Sequence, residues 1–331
     1  MIEEDSMENI RTVIKATGHY VPDKIITNDD LSEIVDTNDE WIMQRTGIRE
    51  RRIAIDENTS DLAAKAAKKI LQNANISAEE IDLILVATIS GDYAMPSTAC
   101  LVQSKIGAVN AAAFDITAAC SGFIYALTTA HKFVQSQMYQ NVLVIGAEVL
   151  SKTIDWSDRG TCVLFGDGAA GVLVTAGTSG GVIAEQLGAD GTGGEQLTVS
   201  YMPNANRFNG KERVMPSNMQ MDGRAIFKFA TKTLSKKLEE IIENSGMKKE
   251  EIDHIVLHQA NDRIIQAVAK KTEIPLEKFY RNMYYYANTS SATIPIALSE
   301  MNEKGMLHKG DKILMSGFGG GLTWGSLIIE W

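Results

Sequence analysis

The chain has 331 residues, of which 44% are hydrophobic, so it can bury a large core and is not a disordered protein. Its formal net charge of -10 disfavours nonspecific binding to nucleic acid, because a phosphate backbone attracts a positive surface. No basic segment leads into an apolar run near the start, and no apolar run is long enough to span a membrane, so we expect a cytoplasmic protein without a membrane partner.

Cysteines and histidines are the residues that would form disulfides or hold a transition metal. Cys100, Cys120 and Cys162 form no CxxC pair, and their odd number in a large chain favours reduced thiols. The five histidines form no HExxH motif and no cluster with the cysteines. We therefore predict no metal site and no permanently bound cofactor. We expect Cys100 and Cys162 to be small buried side chains.

An internal repeat organises the chain. The segments that end in Asp82 and Asp253 share the letters EEID, and each reads as a helix end, an acidic turn and a strand. The offset between Asp82 and Asp253 (253 − 82 = 171) is the same as that between Val142 and Ile313 in two later apolar runs (313 − 142 = 171). Chance similarity is the alternative, but the shared spacing disfavours it. We predict two copies of one α/β unit packed as a pseudo-dimer.

Short apolar strands alternate with helical periods in both halves, which is typical of sheets covered by helices on both faces. The stretches 162–174 and 313–329 each predict two strands joined by a glycine turn. Residues 178–223 are rich in Gly, Asn, Gln and Met with weak periodicity, which predicts a connection and a capping segment. We therefore place an N-terminal half at 1–178 and a C-terminal half at 179–331.

Cys120 lies in the motif Asp-Ile-Thr-Ala-Ala-Cys-Ser-Gly, directly before a predicted helix whose apolar face includes Phe123, Leu127, Ala130 and Val134. The positive end of the helix macrodipole and the free N–H groups of the first turn favour a thiolate there. This position predicts a nucleophile.

His258 ends the apolar strand 255–257, and α/β sheets place functional side chains at this edge. A lone histidine in such a place is more often a hydrogen-bonded structural residue, so the position alone does not decide between the two interpretations. For His131 and His254 we retain the structural interpretation.

Asn288 precedes a predicted helical segment, 294–301, with Pro295 in its first turn. It is either a helix cap or a neutral hydrogen-bond donor for a negatively charged transition state. The glycine-rich segment 317–325 is either a tight turn or a close backbone approach that brings N–H groups to a developing oxyanion.

Cys120, His258 and Asn288 with their flanking residues, and the glycine motif that begins at Phe318, together resemble the β-ketoacyl-acyl-carrier-protein synthase III family. The order and spacing match, and the resemblance covers the chain from about residue 10 to its end. Two departures stand out: the first ten or so residues extend beyond the usual start, and Ala287 stands where the family usually has Gly.

The resemblance implies the thiolase fold, with two duplicated α/β halves in a five-layer αβαβα sandwich, and a homodimer. It implies that Cys120 accepts an acyl group from acyl-CoA, and that malonyl-acyl carrier protein then enters the same site. His258 and Asn288 would hydrogen-bond the malonyl thioester oxygen during decarboxylation. The N–H groups of Cys120 and Gly320 would form the oxyanion hole. The products would be 3-ketoacyl-acyl carrier protein and CO2, in the initiating step of type II fatty acid synthesis.

The resemblance also implies binding residues. Those for CoA would be Thr37, Trp41, Arg45, Arg159, Asn261 and Arg263, with Trp41 and Arg159 on either side of the adenine. Those of the acyl pocket would be Met95, Phe165, Met221, Phe227 and Phe318. Met95 matches the residue that closes the partner's pocket across the dimer. Those that dock the carrier protein would be Lys228, Arg263, Lys270 and Lys271. For Lys270 and Lys271 a solvated helix surface is an equally weighted interpretation.

Other condensing enzymes are the main alternatives. A secondary-metabolite or polyketide starter synthase would use the same Cys, His and Asn. A degradative thiolase would need a second reactive cysteine near its C-terminus, and none follows Cys162. Elongating synthases have a second histidine where Asn288 stands. A noncatalytic partner of the carrier protein is disfavoured by the intact Cys120. The identity of the primer, whether acetyl, branched or longer, is not encoded in these motifs.

Overall fold

The computed structural model describes residues 10–212 and 218–331, so the predicted N-terminal extension lies outside the described residues. The strands are β1 (Arg11–Tyr20), β2 (Ile25–Thr27), β3 (Glu50–Arg52), β4 (Leu83–Ala87), β5 (Ala112–Ile116), β6 (Asn141–Glu148), β7 (Gly168–Gly177), β8 (Gly181–Ala189), β9 (Leu197–Thr198), β10 (Gln220–Met221), β11 (His254–Leu257), β12 (Lys312–Gly319) and β13 (Thr323–Glu330). The helices are α1 (Asn28–Ser32), α2 (Asp39–Thr46), α3 (Thr59–Ala74), α4 (Thr98–Ile106), α5 (Gly122–Gln135), α6 (Arg159–Cys162), α7 (Gly223–Asn244), α8 (Asp262–Thr272), α9 (Met283–Tyr286) and α10 (Thr293–Glu303).

Two mixed sheets form the frame of the molecule. The first has the strand order β1-β7-β6-β4-β5, and the second has the order β11-β12-β13-β8. In the first sheet β4 pairs parallel with β5 and β6, whereas β7 pairs antiparallel with β6 and β1. In the second sheet β11 pairs parallel with β12, and β13 pairs antiparallel with β12 and β8. Strands β4 and β12 are buried almost throughout, which explains their continuous apolar runs.

The repeat found in the sequence is present in the structure. The starts of β4 and β11 are related by the same offset (254 − 83), as are those of β6 and β12 (312 − 141) and of the helices α5 and α10 (293 − 122). The shared EEID letters have a shared contact: a carboxylate oxygen of Asp82 accepts the N–H of Asn141 at 2.8 Å, and that of Asp253 accepts the N–H of Lys312 at 2.7 Å. Each aspartate therefore fixes the start of the neighbouring parallel strand.

The helices complete five layers. α3 and α4 cover the outer face of the first sheet, and α7, with α8 packed against it, covers the outer face of the second. α5 and α10 lie between the sheets and contact both. Apolar side chains from both sheets meet around these central helices, in a cluster that includes Leu127, Val144, Leu298 and Met315. The predicted αβαβα sandwich of two duplicated halves is confirmed, while the division at residue 178 stays a prediction.

Three local expectations were wrong. The stretch 162–174 is not a hairpin, because the carboxylate of Asp158 accepts the N–H of Gly160 at 2.8 Å and starts the short helix α6. The connection 178–223 contains β8, an edge strand whose partly exposed side chains hide its periodicity. Cys100 is exposed, because the neighbouring Ala99 occupies the core-facing side of α4.

Candidate active site

Cys120 lies in the turn that leads into the central helix α5, as predicted. Residues 119–121 form one 3-10 turn, and Ala119 has a φ of 46°, in the left-handed region. The end of β12 comes very close to this turn: a Cβ added to Gly319 would lie 2.6 Å from the backbone nitrogen of Cys120. Glycine is therefore required at 319, and the backbone of the glycine motif is held against the candidate nucleophile.

Burial opposes the thiolate that the helix end is expected to favour at Cys120. Burial raises the pKa of the Cys120 thiol to about 12 from the ordinary value of 9.0, the neighbouring Ser290 hydroxyl lowers it, and the nearby Glu148 raises it. This shift corresponds to about 4 kcal/mol. The end of a helix macrodipole contributes about 0.3–1 kcal/mol and rarely more than about 2. Desolvation therefore outweighs the helix end until a substrate changes the site.

His258 follows strand β11 and is almost fully buried, with 2% of its surface exposed. Its Nδ1 lies 2.7 Å from the hydroxyl oxygen of Thr293 at the start of α10, and the Phe318 ring packs edge-on at 5.2 Å between centroids. Burial lowers the pKa of His258 to about 3, so the imidazole is neutral at physiological pH. The ring is held between these two neighbours, and its other nitrogen, Nε2, is the polar atom available to a substrate.

Asn288 has its side chain oriented by its own loop. Its Oδ1 accepts the backbone N–H of Ser290 at 2.8 Å, which leaves the amide NH2 as the donor for another group. Its backbone is also anchored, because its N–H donates to the carbonyl of Leu164 at 2.9 Å. The preceding Ala287 has φ 55° and ψ -156°, a conformation that is essentially restricted to glycine. This explains why glycine is usual there and shows that alanine is accommodated with strain.

Cys120, His258 and Asn288 line one cavity of about 480 Å³, together with Phe318 and Gly319. The structure therefore brings the three predicted catalytic residues together. Phe165, Met221 and Phe227, predicted for the acyl pocket, also line this cavity. Further apolar side chains, among them Val163, Leu164 and Ile226, line the same cavity.

Arginines surround the cavity. Arg45, Arg159, Arg224 and Arg263 all contribute to its lining, although the chain as a whole is acidic. The guanidinium groups of Arg45 and Arg159 lie 4.7 and 4.8 Å from the ring centroid of Trp41, so both make cation–π contacts with this ring. Such a cluster suits a ligand that carries several phosphates.

The predicted CoA residues differ in how freely their side chains can bind. Trp41, Arg45, Arg159, Asn261 and Arg263 line the cavity, whereas Thr37 is not in its lining. The Asn261 side chain is engaged within the protein: its amide donates to the carbonyl of Arg45 at 2.9 Å, and its oxygen caps α8 by accepting the N–H of Arg263 at 2.9 Å. Asn261 therefore positions the two arginines as well as facing the cavity.

A second cavity of about 760 Å³ meets the first at Cys120, Phe165 and Leu197. Met95 and Gly320 line this second cavity, which also contains Tyr93, Leu150, Val199 and Met219. Met95 is 86% exposed in the single chain. The residues predicted as one acyl pocket are thus divided: Met95 lies in the second cavity, Met221, Phe227 and Phe318 lie in the first, and Phe165 stands between them.

The residues predicted for carrier-protein docking lie on helices α7 and α8, beside the arginine-lined mouth. Lys228, Arg263, Lys270 and Lys271 are exposed. Lys271 has a structural contact, since its Nζ donates to the carbonyl of Thr231 at 3.2 Å and links α8 to α7. Arg263 lies over the ring of Phe227, 5.7 Å from its centroid.

Sequence reasoning missed Glu148, which is fully buried at the end of β6. Burial raises the pKa of this carboxyl group. Its oxygens accept hydrogen bonds from the hydroxyls of Thr88 at 3.1 Å, Ser90 at 2.5 Å and Ser291 at 3.0 Å, and from the N–H of Ile89 at 3.1 Å. Glu148 thus connects the wall of the second cavity to the loop that carries Asn288. The signal available in the sequence was an acidic residue, Glu148, at the end of an apolar strand.

Arg224 was missed as well, although it precedes Lys228 by one helical turn of α7 and the pair could have been read as a basic face. Within residues 10–212 and 218–331, no group of three or more His, Cys, Asp or Glu side chains is arranged to hold a metal ion. No helix in the same ranges is long and apolar enough to cross a membrane.

Comparisons with known proteins agree on one family. Residues 114–191 match the family model described as 3-oxoacyl-[acyl-carrier-protein (ACP)] synthase III, and residues 242–331 match the model of its C-terminal part. The β-ketoacyl-[acyl-carrier-protein] synthase III of Clostridium acetobutylicum is 55% identical over 96% of this chain and 98% of its own.

Two solved structures have the same fold over nearly the whole chain. The 3-oxoacyl-[acyl-carrier-protein] synthase III of Aquifex aeolicus VF5 is 47% identical, with a TM-score of 0.90 over 97% of this chain and 100% of its own. The priming β-ketosynthase of the R1128 polyketide pathway has the same TM-score of 0.90 at 32% identity, over 98% of this chain and 97% of its own.

Proposed function

The chain belongs to the β-ketoacyl-acyl-carrier-protein synthase III family of condensing acyltransferases, and from this premise we propose that it catalyses the initiating condensation of type II fatty acid synthesis. The observation that carries the proposal is the cavity in which a buried thiol, a neutral imidazole and an oriented amide meet. The fold is the thiolase fold, which the family shares.

In the first half-reaction the sulfur of Cys120 attacks the carbonyl carbon of an acyl-CoA thioester. A C–S bond to Cys120 forms, the C–S bond to CoA breaks, and the proton of Cys120 leaves with the CoA thiol. The N–H groups of Cys120 and Gly320 stabilise the tetrahedral oxyanion. The contact between Gly319 and the backbone of Cys120 supports this assignment, because it holds the glycine segment beside the nucleophile.

In the second half-reaction malonyl-acyl carrier protein occupies the vacated cavity. The bond to its carboxylate breaks, CO2 leaves, and the electron pair forms an enolate at the thioester. Nε2–H of His258 and the amide NH2 of Asn288 donate to the enolate oxygen. The enolate carbon attacks the acyl group, the C–S bond to Cys120 breaks, and the sulfur takes up a proton from the solvent. A neutral histidine suits this role, because it can donate a hydrogen bond to the enolate oxygen while carrying no net charge.

The surroundings support the binding roles. Trp41 and Arg159 bind the adenine of CoA between them after Arg159, which lies 4.8 Å from the Trp41 ring centroid, moves away from the ring, and Arg45, Arg263 and the newly identified Arg224 bind its phosphates. Asn261 lies near the ribose and acts mainly through the arginines that it positions, while Thr37, outside the cavity lining, would reach the ribose only at the edge of the site. The exposed cations Lys228, Lys270 and Lys271 dock the acidic carrier protein. Met95 completes the acyl pocket of a second chain in a cytoplasmic homodimer.

A polyketide starter synthase is the second candidate, because the priming enzyme of the R1128 pathway has an equally similar fold. The chain is 55% identical to the β-ketoacyl-[acyl-carrier-protein] synthase III of Clostridium acetobutylicum and 32% identical to the R1128 enzyme, which favours the first candidate. A noncatalytic partner of the carrier protein is disfavoured, because Cys120, His258 and Asn288 are all intact and share a cavity.

Mass spectrometry of the intact protein tests the proposal. After incubation with an equimolar mixture of acetyl-, branched and longer acyl-CoAs, Cys120 should carry one acyl group, and its mass identifies the preferred primer. Malonyl-acyl carrier protein should then remove the group as 3-ketoacyl-acyl carrier protein. His258→Ala and Asn288→Ala should form the adduct but fail to discharge it. Equal loss of both half-reactions in these variants would contradict the division of roles.

A further inference from the structure

The Nδ1 side of His258 faces one hydroxyl group. Thr293, the first residue of α10, places its Oγ1 at 2.7 Å from Nδ1, and both residues are nearly buried, with 3% and 2% of their surfaces exposed. Buried polar atoms at this distance form a hydrogen bond. The direction of this bond decides which ring nitrogen carries the proton.

The protons in this contact can be counted. A neutral imidazole has one N–H and one acceptor nitrogen, and burial keeps the pKa of His258 at about 3. The Thr293 hydroxyl has a single proton and two acceptors within reach, Nδ1 at 2.7 Å and the carbonyl of Ser290 at 3.0 Å. The 2.7 Å contact with Nδ1 has the usual length for a hydroxyl donor, whereas N–H donors are most often 2.9–3.0 Å from their acceptors, and the 3.0 Å contact with the carbonyl is at the long end for a hydroxyl. The lengths therefore favour the hydroxyl as the donor to Nδ1.

We propose that Thr293 is a positioning residue for the condensation: its hydroxyl donates to Nδ1 of His258 and thereby fixes the proton on Nε2, facing the cavity that contains Cys120. The inference rests on the proposed function, in which Nε2–H donates to the enolate oxygen. With the opposite tautomer, Nε2 would present a lone pair to that oxygen and repel it.

The side-chain type fits this role. Threonine is β-branched, so its χ1 has few accessible rotamers, and the one observed places the hydroxyl beside the ring. Valine has nearly the same shape without the hydroxyl, and serine retains the hydroxyl without the methyl group. Thr293→Val and Thr293→Ser are therefore a matched pair.

Two measurements on the full chain test the proposal. Pre-steady-state mass spectrometry gives the rate of acylation of Cys120 by acetyl-CoA and the rate of its discharge by malonyl-acyl carrier protein. Thr293→Val should slow discharge by about tenfold and change acylation by less than about twofold, whereas Thr293→Ser should restore discharge. In protein labelled with 15N-histidine, the His258 resonances, assigned by their absence in His258→Gln, should show the proton on Nε2.

The proposal is overturned by any of three results: a proton on Nδ1 in the parent protein, a Thr293→Ser variant as slow as Thr293→Val, or acylation and discharge slowed equally in Thr293→Val. A parent protein that forms no 3-ketoacyl product would contradict the proposed function instead. The NMR measurement would still decide the direction of the hydrogen bond from Thr293.

Discussion

The two turns that begin the central helices have the same backbone and different chemistry. Ala119 and Ser290 are related by the offset of the repeat (290 − 119) and have φ values of 46° and 50°. The next residues in each turn are Cys120 and Ser291. The strand ends beside them also correspond, because the same offset relates Ala87 to His258 (258 − 87).

In the second turn the side chain serves the structure. The hydroxyl of Ser291 lies 2.8 Å from the carbonyl of Ala87 and 3.0 Å from the carboxylate of Glu148, so its hydrogen-bonding capacity is used inside the core. In the first turn Cys120 lies at the junction of two cavities. Duplication therefore supplied the same turn twice, and only the copy with space in front of it is suited to bind a substrate.

The largest expected effect comes from exchanging the side chains of the two turns. Cys120→Ser should lower the rate of condensation by at least about 1000-fold, because a neutral hydroxyl is a much weaker nucleophile than a thiol. The control is Cys120→Ser combined with Ser291→Cys, which restores a thiol at the equivalent buried position. It should form no acyl adduct by mass spectrometry, and an adduct on residue 291 would show that the turn alone is sufficient.

His258, where the first half has Ala87, should contribute to acid sensitivity. Its folded pKa of about 3 is below the ordinary value of 6.5, so its stabilising contribution is fully present above pH 6.5 and is lost as the pH falls toward 3. In that range the free energy of unfolding should fall with a slope about 1.4 kcal/mol per pH unit steeper in the parent than in His258→Gln. Equilibrium urea unfolding at several pH values measures this, and equal slopes would show that folding does not lower the pKa of His258.

Ser291→Ala should affect stability rather than chemistry. Loss of the hydroxyl removes a donor to buried acceptors, and we expect the free energy of unfolding to fall by about 1–3 kcal/mol. The acylation rate of Cys120 should be unchanged at 25 °C. Equilibrium unfolding in urea measures the free energy of unfolding, and a quenched acylation assay measures the rate at Cys120. Ser136→Ala, at the end of α5, is the control for removing a serine hydroxyl from a helix end.

The smallest expected effect concerns Ala287, the strained residue before Asn288. Ala287→Gly should raise the free energy of unfolding by about 1 kcal/mol, because glycine accepts φ 55° and ψ -156° at little cost. The melting temperature should rise by a few degrees. Ala292→Gly, in an ordinary helical conformation of the same loop, should lower it. A lower melting temperature for Ala287→Gly would show that its Cβ contacts outweigh the strain.

Apolar periodicity and the shared spacing were sufficient to predict the repeat and the helix-covered sheets, because these are local properties of the sequence. The five layers and the joint role of Cys120, His258 and Asn288 were predicted from the resemblance to the family. The sequence did not predict that burial raises the pKa of the Cys120 thiol, since desolvation depends on residues brought from distant segments. Glu148 and Thr293 were missed for the same reason: each acts through a partner that is remote along the chain. The division of Met95 from Met221 into separate cavities depends on how Phe165 packs between them.

The position of Cys120 where two cavities meet has a kinetic consequence. An acyl chain that extends into the cavity of Met95 leaves the arginine-lined mouth open for the departing CoA and then for the carrier-borne malonyl group. Both ligands would thus compete for one form of the protein, the acylated one. Free CoA should act as a competitive inhibitor with respect to malonyl-acyl carrier protein. The cellular ratio of free CoA to malonyl-acyl carrier protein would then set the rate of the initiating condensation.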